Sequence, residues 1–169
     1  MTLPTTFITA FNLTMKWEGS TYVSSEYDRG GQTKYGISQR AFPDINIREL
    51  TKYRAMLIYF AHYWSKGRCD KLPKCIAIAH FDACVNVGVK RAAVLLQKAL
   101  GVTADGIIGP KTTAAAAEAK GCDILTNLGA MRVMHYVNLV IRHPKQMLFM
   151  YGWVRRTFDV TLTARSYDE

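Results

Sequence analysis

Apolar residues recur at Phe7, Ile8, Phe11 and Met15, the spacing of three and four that lines one face of a helix. This predicts a helix over residues 5–17 with Thr5 as its N-cap. Glu18 follows Phe11 by seven positions and Met15 by three, so it leaves the helix on its apolar side. From Tyr22 to Ile37 the pattern breaks into Gly, Ser, Tyr and Thr around Gly30-Gly31, which predicts a loop or irregular β-hairpin. Beyond Pro43, Leu50, Tyr53, Leu57, Phe60 and Trp64 alternate steps of three and four and mark a second helix. Residues 74–87, KCIAIAHFDACVNV, are apolar nearly all round, as a central buried helix is.

Downstream, a helix from Arg91 to Leu100 is stopped by Gly101, and a Gly-rich turn spans Thr103 to Pro110. Pro110 suits the first position of a short alanine-rich helix. Asp123 caps a helix to about Arg142. Pro144 starts a last one through about Phe158, and the polar tail from Asp159 is expected to fray. The fold class is therefore mainly α (α+β): seven or so helices with a small β-hairpin or loop lobe.

Composition narrows the partners. Hydrophobic residues make up 49% of 169 positions, enough for a core without disulfide staples. A net charge of +9 favours a polyanion: nucleic acid, an acidic membrane surface or a carboxylate-rich polymer such as peptidoglycan. The basic residues are spread along the chain and form no nucleic-acid motif, so no nucleic-acid partner is expected. No stretch approaches the roughly 18 apolar residues of a transmembrane segment. The N-terminus lacks a basic n-region and a cleavage site, so synthesis in the cytoplasm without a signal peptide is expected. Cys69, Cys75, Cys84 and Cys122 are irregularly spaced, with no Cys-x-x-Cys pair, and His62, His80, His135 and His143 are scattered. Spacing gives a zinc site little support; no metal and no cofactor are expected, and Cys84 reads as a buried thiol.

The chemistry concentrates in EGSTYVSSEYDRGGQTKYGI, Glu18 to Ile37. Asp28 follows Glu18 by ten residues and Thr33 by fifteen. Glycoside hydrolysis needs a carboxylic acid to protonate the leaving oxygen, and a nucleophile or positioned water on the opposite face. Glu18, on the apolar side of its helix, is expected to be desolvated, which favours the uncharged acid. Asp28, in a polar loop, is expected to stay ionised, and Thr33 to hold a water or brace Asp28. On spacing alone, a solvated charge at a helix end is the commoner reading of Glu18, and Glu26 is an alternative to Asp28 whose neighbours give it no special role.

Further candidates have bland readings beside them. Asp82 and Asn86, four apart on one helix, either face a glycan cleft or satisfy buried polar groups. Tyr27 and Tyr35 can stack on sugar rings, whereas Trp64 closes an apolar stripe and reads as core. The turn from Asp105 to Pro110 is either a ligand element or a tight connection between helices. The basic amphipathic run Lys145, Arg155 and Arg156, with Met147, Leu148, Met150 and Trp153, is expected to dock on the core, with membrane contact the minor reading.

These residues resemble a known family. EGSTY at Glu18–Tyr22 and DRGGQTKYGI at Asp28–Ile37 are similar to the signature of glycoside hydrolase family 108, the N-acetylmuramidases of phage endolysins and secretion-associated muramidases. Tyr63-Trp64, DACVNVG at Asp82–Gly88, LQKALGVTADGIIGP at Leu96–Pro110 and FMYGWVRR at Phe149–Arg156 continue the likeness in order. Ser20 stands where the family has a second Gly, and one residue separates it from Tyr22. The resemblance also extends to the Glu/Asp/Thr arrangement of family 24 phage lysozymes. It implies a lysozyme-like fold, a catalytic muramidase region over 1–90, and a helical peptidoglycan-binding-like region over 91–169 packed on it as one unit. Glu18 carries over as catalytic acid, with Asp28 and Thr33 assisting; Tyr27, Tyr35, Asp82 and Asn86 are the expected substrate-binding residues.

The expected activity is cleavage of the β-1,4 bond between N-acetylmuramic acid and N-acetylglucosamine by a monomer acting on the wall after release. A wider carboxylate separation and inversion follow from the family 24 analogy. The rival readings are a non-catalytic peptidoglycan-binding protein and a lytic transglycosylase.

Overall fold

The computed structural model describes residues 2–24 and 31–168. Helix α1 runs Thr5–Glu18 and buries Phe7, Ala10, Phe11, Leu13 and Thr14. Gly19 ends it with φ +75°, its N–H returning to the Met15 carbonyl, so Glu18 is the last helical residue. Beyond the loop, β1 (Thr33–Lys34) and β2 (Ile37–Ser38) pair antiparallel, Thr33 opposite Ser38 and Lys34 opposite Ile37. Val23 extends this hairpin by a bridge to Thr33. Tyr35 and Gly36 between the strands have φ of 53° and 70°, and positive φ at both central residues suits the right-handed twist of a two-residue hairpin.

Helix α2 (Lys52–Tyr59), capped by the Thr51 hydroxyl, passes into a π-helical turn, Phe60–Ser65. The expected helix past Leu50 is therefore in two parts, since the wider turn inserts a residue and re-aims the side chains that follow. Phe7 of α1 meets Phe60, Trp64 and Phe81 edge-on at 5.0–5.6 Å between ring centroids. Trp64 is core, only 2% exposed.

Helix α3 (Lys74–Val87) is buried from Cys75 to Cys84, as its uninterrupted apolarity predicts. Around it stand α1, α4 (Val89–Ala99), α6 (Gly121–Arg142) and α7 (Met147–Arg165), with α5 (Pro110–Glu118) between α4 and α6 in the chain. The Asp105–Pro110 turn is built on Gln97, itself buried. Its amide donates to the Asp105 carboxylate at 2.7 Å and the Ile107 carbonyl at 3.0 Å, and its oxygen accepts from the Gly106 N–H at 2.8 Å. These contacts make the turn a tight connection.

Two expectations about the last helix change. The tail past Asp159 stays helical to Arg165 because Arg156, Val160 and Ala164 recur every four residues on a buried face. The start of α7 does not dock: Met147 and Leu148 are 61% and 86% exposed. No helix among the described residues is long and apolar enough to cross a membrane.

Candidate active site

Glu18 meets its partners at the C-terminal end of α1. Its Oε1 accepts from Arg156 Nη1 at 2.7 Å, and the Glu18 side chain is 21% exposed. The expected apolar setting is thus replaced by an ion pair with a guanidinium on α7. Arg156 is itself buried, and it also grips Asp82 of α3 through Nε at 3.0 Å and Nη2 at 2.8 Å. Asp82 accepts further from Arg132 Nη2 of α6 at 2.9 Å and from the Thr14 hydroxyl at 3.1 Å. Two carboxylates and two guanidiniums make a neutral set, which is how charges are tolerated in an interior. Burial pushes the Asp82 carboxyl upward, but Arg132 and Arg156 outweigh it and hold the group below its usual range.

Asp82 is 0% exposed, so it offers no surface to a glycan. Its contacts match the alternative reading of a buried hub, and its part is to position Arg156. Asn86, one turn on, accepts from the Tyr136 hydroxyl at 2.5 Å. It remains half-buried and lines a pocket of about 330 Å³ with Trp17, Phe149, Trp153 and Arg156. Trp153 stacks on Tyr136 at 5.1 Å, and Phe149 leans on Trp153 at 5.8 Å. Trp17 is held by its indole N–H on Asp159 at 2.9 Å.

The hairpin turn closes the other side of Glu18. A Cβ on Gly36 would stand 2.8 Å from Glu18 Oε2 and 2.6 Å from the Tyr59 hydroxyl, so only glycine lets the turn approach. Tyr59 donates to the Tyr35 carbonyl at 2.9 Å and ties the turn to α2. Burial and then the Glu18 carboxylate push the Tyr59 phenol far up, and the same two causes raise Tyr63. Both therefore stay neutral beside the Glu18 carboxylate.

Of the sequence candidates, Glu18, Asp82 and Asn86 are brought to one region, and the Tyr35-Gly36 turn abuts Glu18. Thr33 sits at the hairpin base, half-buried, exchanging two 2.9 Å backbone bonds with Val23. Asp28, Tyr27 and Glu26 lie outside the described residues. Sequence reading missed Arg132, Arg156, Tyr59, Tyr136 and Gly36 as site residues. The available signal was a charge in an otherwise apolar helical stripe, as at Arg132 and Arg156.

Comparison with known proteins adds identity to this geometry. The family model described as glycosyl hydrolase 108 matches residues 11–88, and one described as a predicted peptidoglycan domain matches 91–158. The solved structure of SagA from Brucella abortus superposes with a TM-score of 0.80 at 31% identity, over 97% of this chain and 96% of that one. The chain belongs to glycosyl hydrolase family 108. No curated protein matches it. A family 108 hydrolase region joined to a peptidoglycan domain makes this protein a glycoside hydrolase that acts on peptidoglycan. In this family 108 chain, the helix that orients Glu18 belongs to the region matched by the peptidoglycan domain: Arg156 lies within residues 91–158.

Proposed function

We propose that this family 108 hydrolase is an N-acetylmuramidase, cutting the β-1,4 bond between N-acetylmuramic acid and N-acetylglucosamine with Glu18 as general acid. The observation that carries this reading is that one carboxylate oxygen is fixed while the other has no hydrogen-bond partner among the described residues. Oε1 is held by Arg156, while Oε2 faces the side-chain-free Gly36. A general acid needs one oxygen aimed at the leaving group within hydrogen-bond reach. Asp28 and Thr33 supply the opposite face, ordering the water that attacks as the bond breaks.

The aromatic pocket beside Arg156 supports a sugar substrate. Trp17, Phe149 and Trp153 offer apolar ring faces, while Asn86 and Arg156 offer polar edges; pyranose rings present both surfaces. The cationic surplus draws the chain to the carboxylates of peptidoglycan stems.

The test is product analysis on purified sacculi. The native chain should release muramic-acid reducing ends, and Glu18→Gln should lose at least ~100-fold in rate with unchanged circular dichroism. A product lighter by one water would identify a transglycosylase instead. A Glu18→Gln protein keeping more than about a tenth of the rate would remove Glu18 from the central role.

A further inference from the structure

A second cluster of reactive groups lies under the site, where chain spacing hid it. Cys69 follows a tight turn through Gly67 and Arg68, and opens a 3-10 turn, Cys69–Lys71. His80 and Cys84 are four apart on α3 and point to the same side. All three residues are 0% exposed, and their ligand atoms lie within 4.8 Å of one another. His80 Nε2 is 3.5 Å from Cys84 Sγ and 3.1 Å from the Gly67 carbonyl oxygen. A Cβ on Gly67 would stand 2.8 Å from Cys84 Sγ and 3.3 Å from Cys69 Sγ. Gly67 therefore brings the backbone onto the sulfurs.

Hydrogen bonding alone serves this cluster poorly. A neutral imidazole has one N–H. Placed on Nε2, it satisfies either the Gly67 oxygen or the Cys84 sulfur. Placed on Nδ1, which has no partner, it leaves Nε2 facing the carbonyl lone pair to lone pair. One cation between the groups accepts from all four atoms together. With metal–nitrogen and metal–sulfur bonds of roughly 2.0 and 2.3 Å, a tetrahedral site separates its N and S ligands by about 3.5 Å, the distance found here. Two thiolates balance a divalent charge away from water, and sulfur with imidazole selects zinc over calcium or magnesium.

We propose that Cys69, His80 and Cys84, completed by the Gly67 carbonyl oxygen, form a buried structural zinc site. On binding, the two thiol protons leave to solvent and two metal–sulfur bonds form, with no change of oxidation state. The ion ties the 67–71 turn to α3 on either side of Asp82, and so braces the helix that holds Arg156.

The full chain, expressed in zinc-supplemented medium and dialysed, should carry about one zinc per chain by elemental mass spectrometry. Cobalt(II) exchanged into the same protein should give sulfur-to-cobalt charge-transfer absorption in the near ultraviolet, which needs no variant. Cys84→Ala should lose both signals, whereas Cys75→Ser with Cys122→Ser should keep them. A strong chelator should lower the thermal midpoint of the native chain and leave Cys84→Ala unmoved. Less than roughly a tenth of a zinc per chain, no cobalt–thiolate band, zinc retained by Cys84→Ala, or a Cys69–Cys84 disulfide in the purified protein would each overturn the proposal.

Discussion

Arg156 Nη1 lies 2.7 Å from Glu18 Oε1, although 138 residues separate the two along the chain. The guanidinium's other two nitrogens, Nε and Nη2, donate to Asp82, so its position is set by α3 before it meets α1. Arg156→Lys keeps the charge but loses the fork that serves both carboxylates. The variant should lose roughly 10- to 100-fold in kcat with a smaller change in KM. Steady-state kinetics on purified sacculi would show this split, which simple loss of folded protein does not give.

The approach of the hairpin turn to Glu18 makes a second prediction. Gly36→Ala places a methyl 2.8 Å from Oε2 at a φ of +70°. Activity should fall by about 100-fold, and stability by more than the roughly 1–2 kcal/mol of backbone strain, because the methyl also meets the Tyr59 hydroxyl at 2.6 Å. Gly101→Ala, also at φ +70° but with open space around its Cβ, should show the backbone-strain loss alone and no activity loss. Denaturant melts and turnover on both variants check the pair.

Asp82 makes stability depend on acid in a defined direction. Its carboxyl is held below the ordinary range in the folded state. Its contribution is therefore fully present above the unfolded value of about 3.9 and is lost as pH falls through the lower folded value. The thermal midpoint should drop below about pH 4. Asp82→Asn should lose about 3–5 kcal/mol at neutral pH, and its melting should depend less on pH in the acid window. Calorimetry from pH 7 downward measures both.

Phe149 is 54% exposed and stands in the aromatic pocket, so it separates binding from folding. Phe149→Ala should weaken glycan binding about three- to tenfold and shift stability by less than about 0.5 kcal/mol. Soluble muropeptide titration and a thermal melt give the two numbers.

Capture of the wall by net charge predicts a salt effect. With +9 on the chain, sacculus binding should weaken as sodium chloride rises from low to physiological strength. The thermal midpoint should move little over that range. Co-sedimentation with sacculi at several salt concentrations tests it.

Much of this architecture is legible in the chain because local rules wrote it. The apolar run at 74–87 is observed as Lys74–Val87, and the Glu18-Gly19 pair marks a helix end because glycine alone accepts the φ found there. What escaped depends on distance along the chain. Periodicity places Asp82 on α3 but gives no sign that Arg132 and Arg156 arrive from 50 and 74 residues away. The π-helical turn at Phe60–Ser65 escaped because its residues continue a helical pattern in sequence. The helical tail past Asp159 escaped because Val160 and Ala164 are sparse among polar neighbours.

Because the guanidinium that orients Glu18 comes from α7, the two halves of the polypeptide cannot be traded as independent modules. A chimera that replaces residues 91–158 with a foreign peptidoglycan domain puts a stranger's arginine, or none, beneath Glu18. Engineering of this chain should exchange surface loops and leave the final helix with the carboxylate it serves.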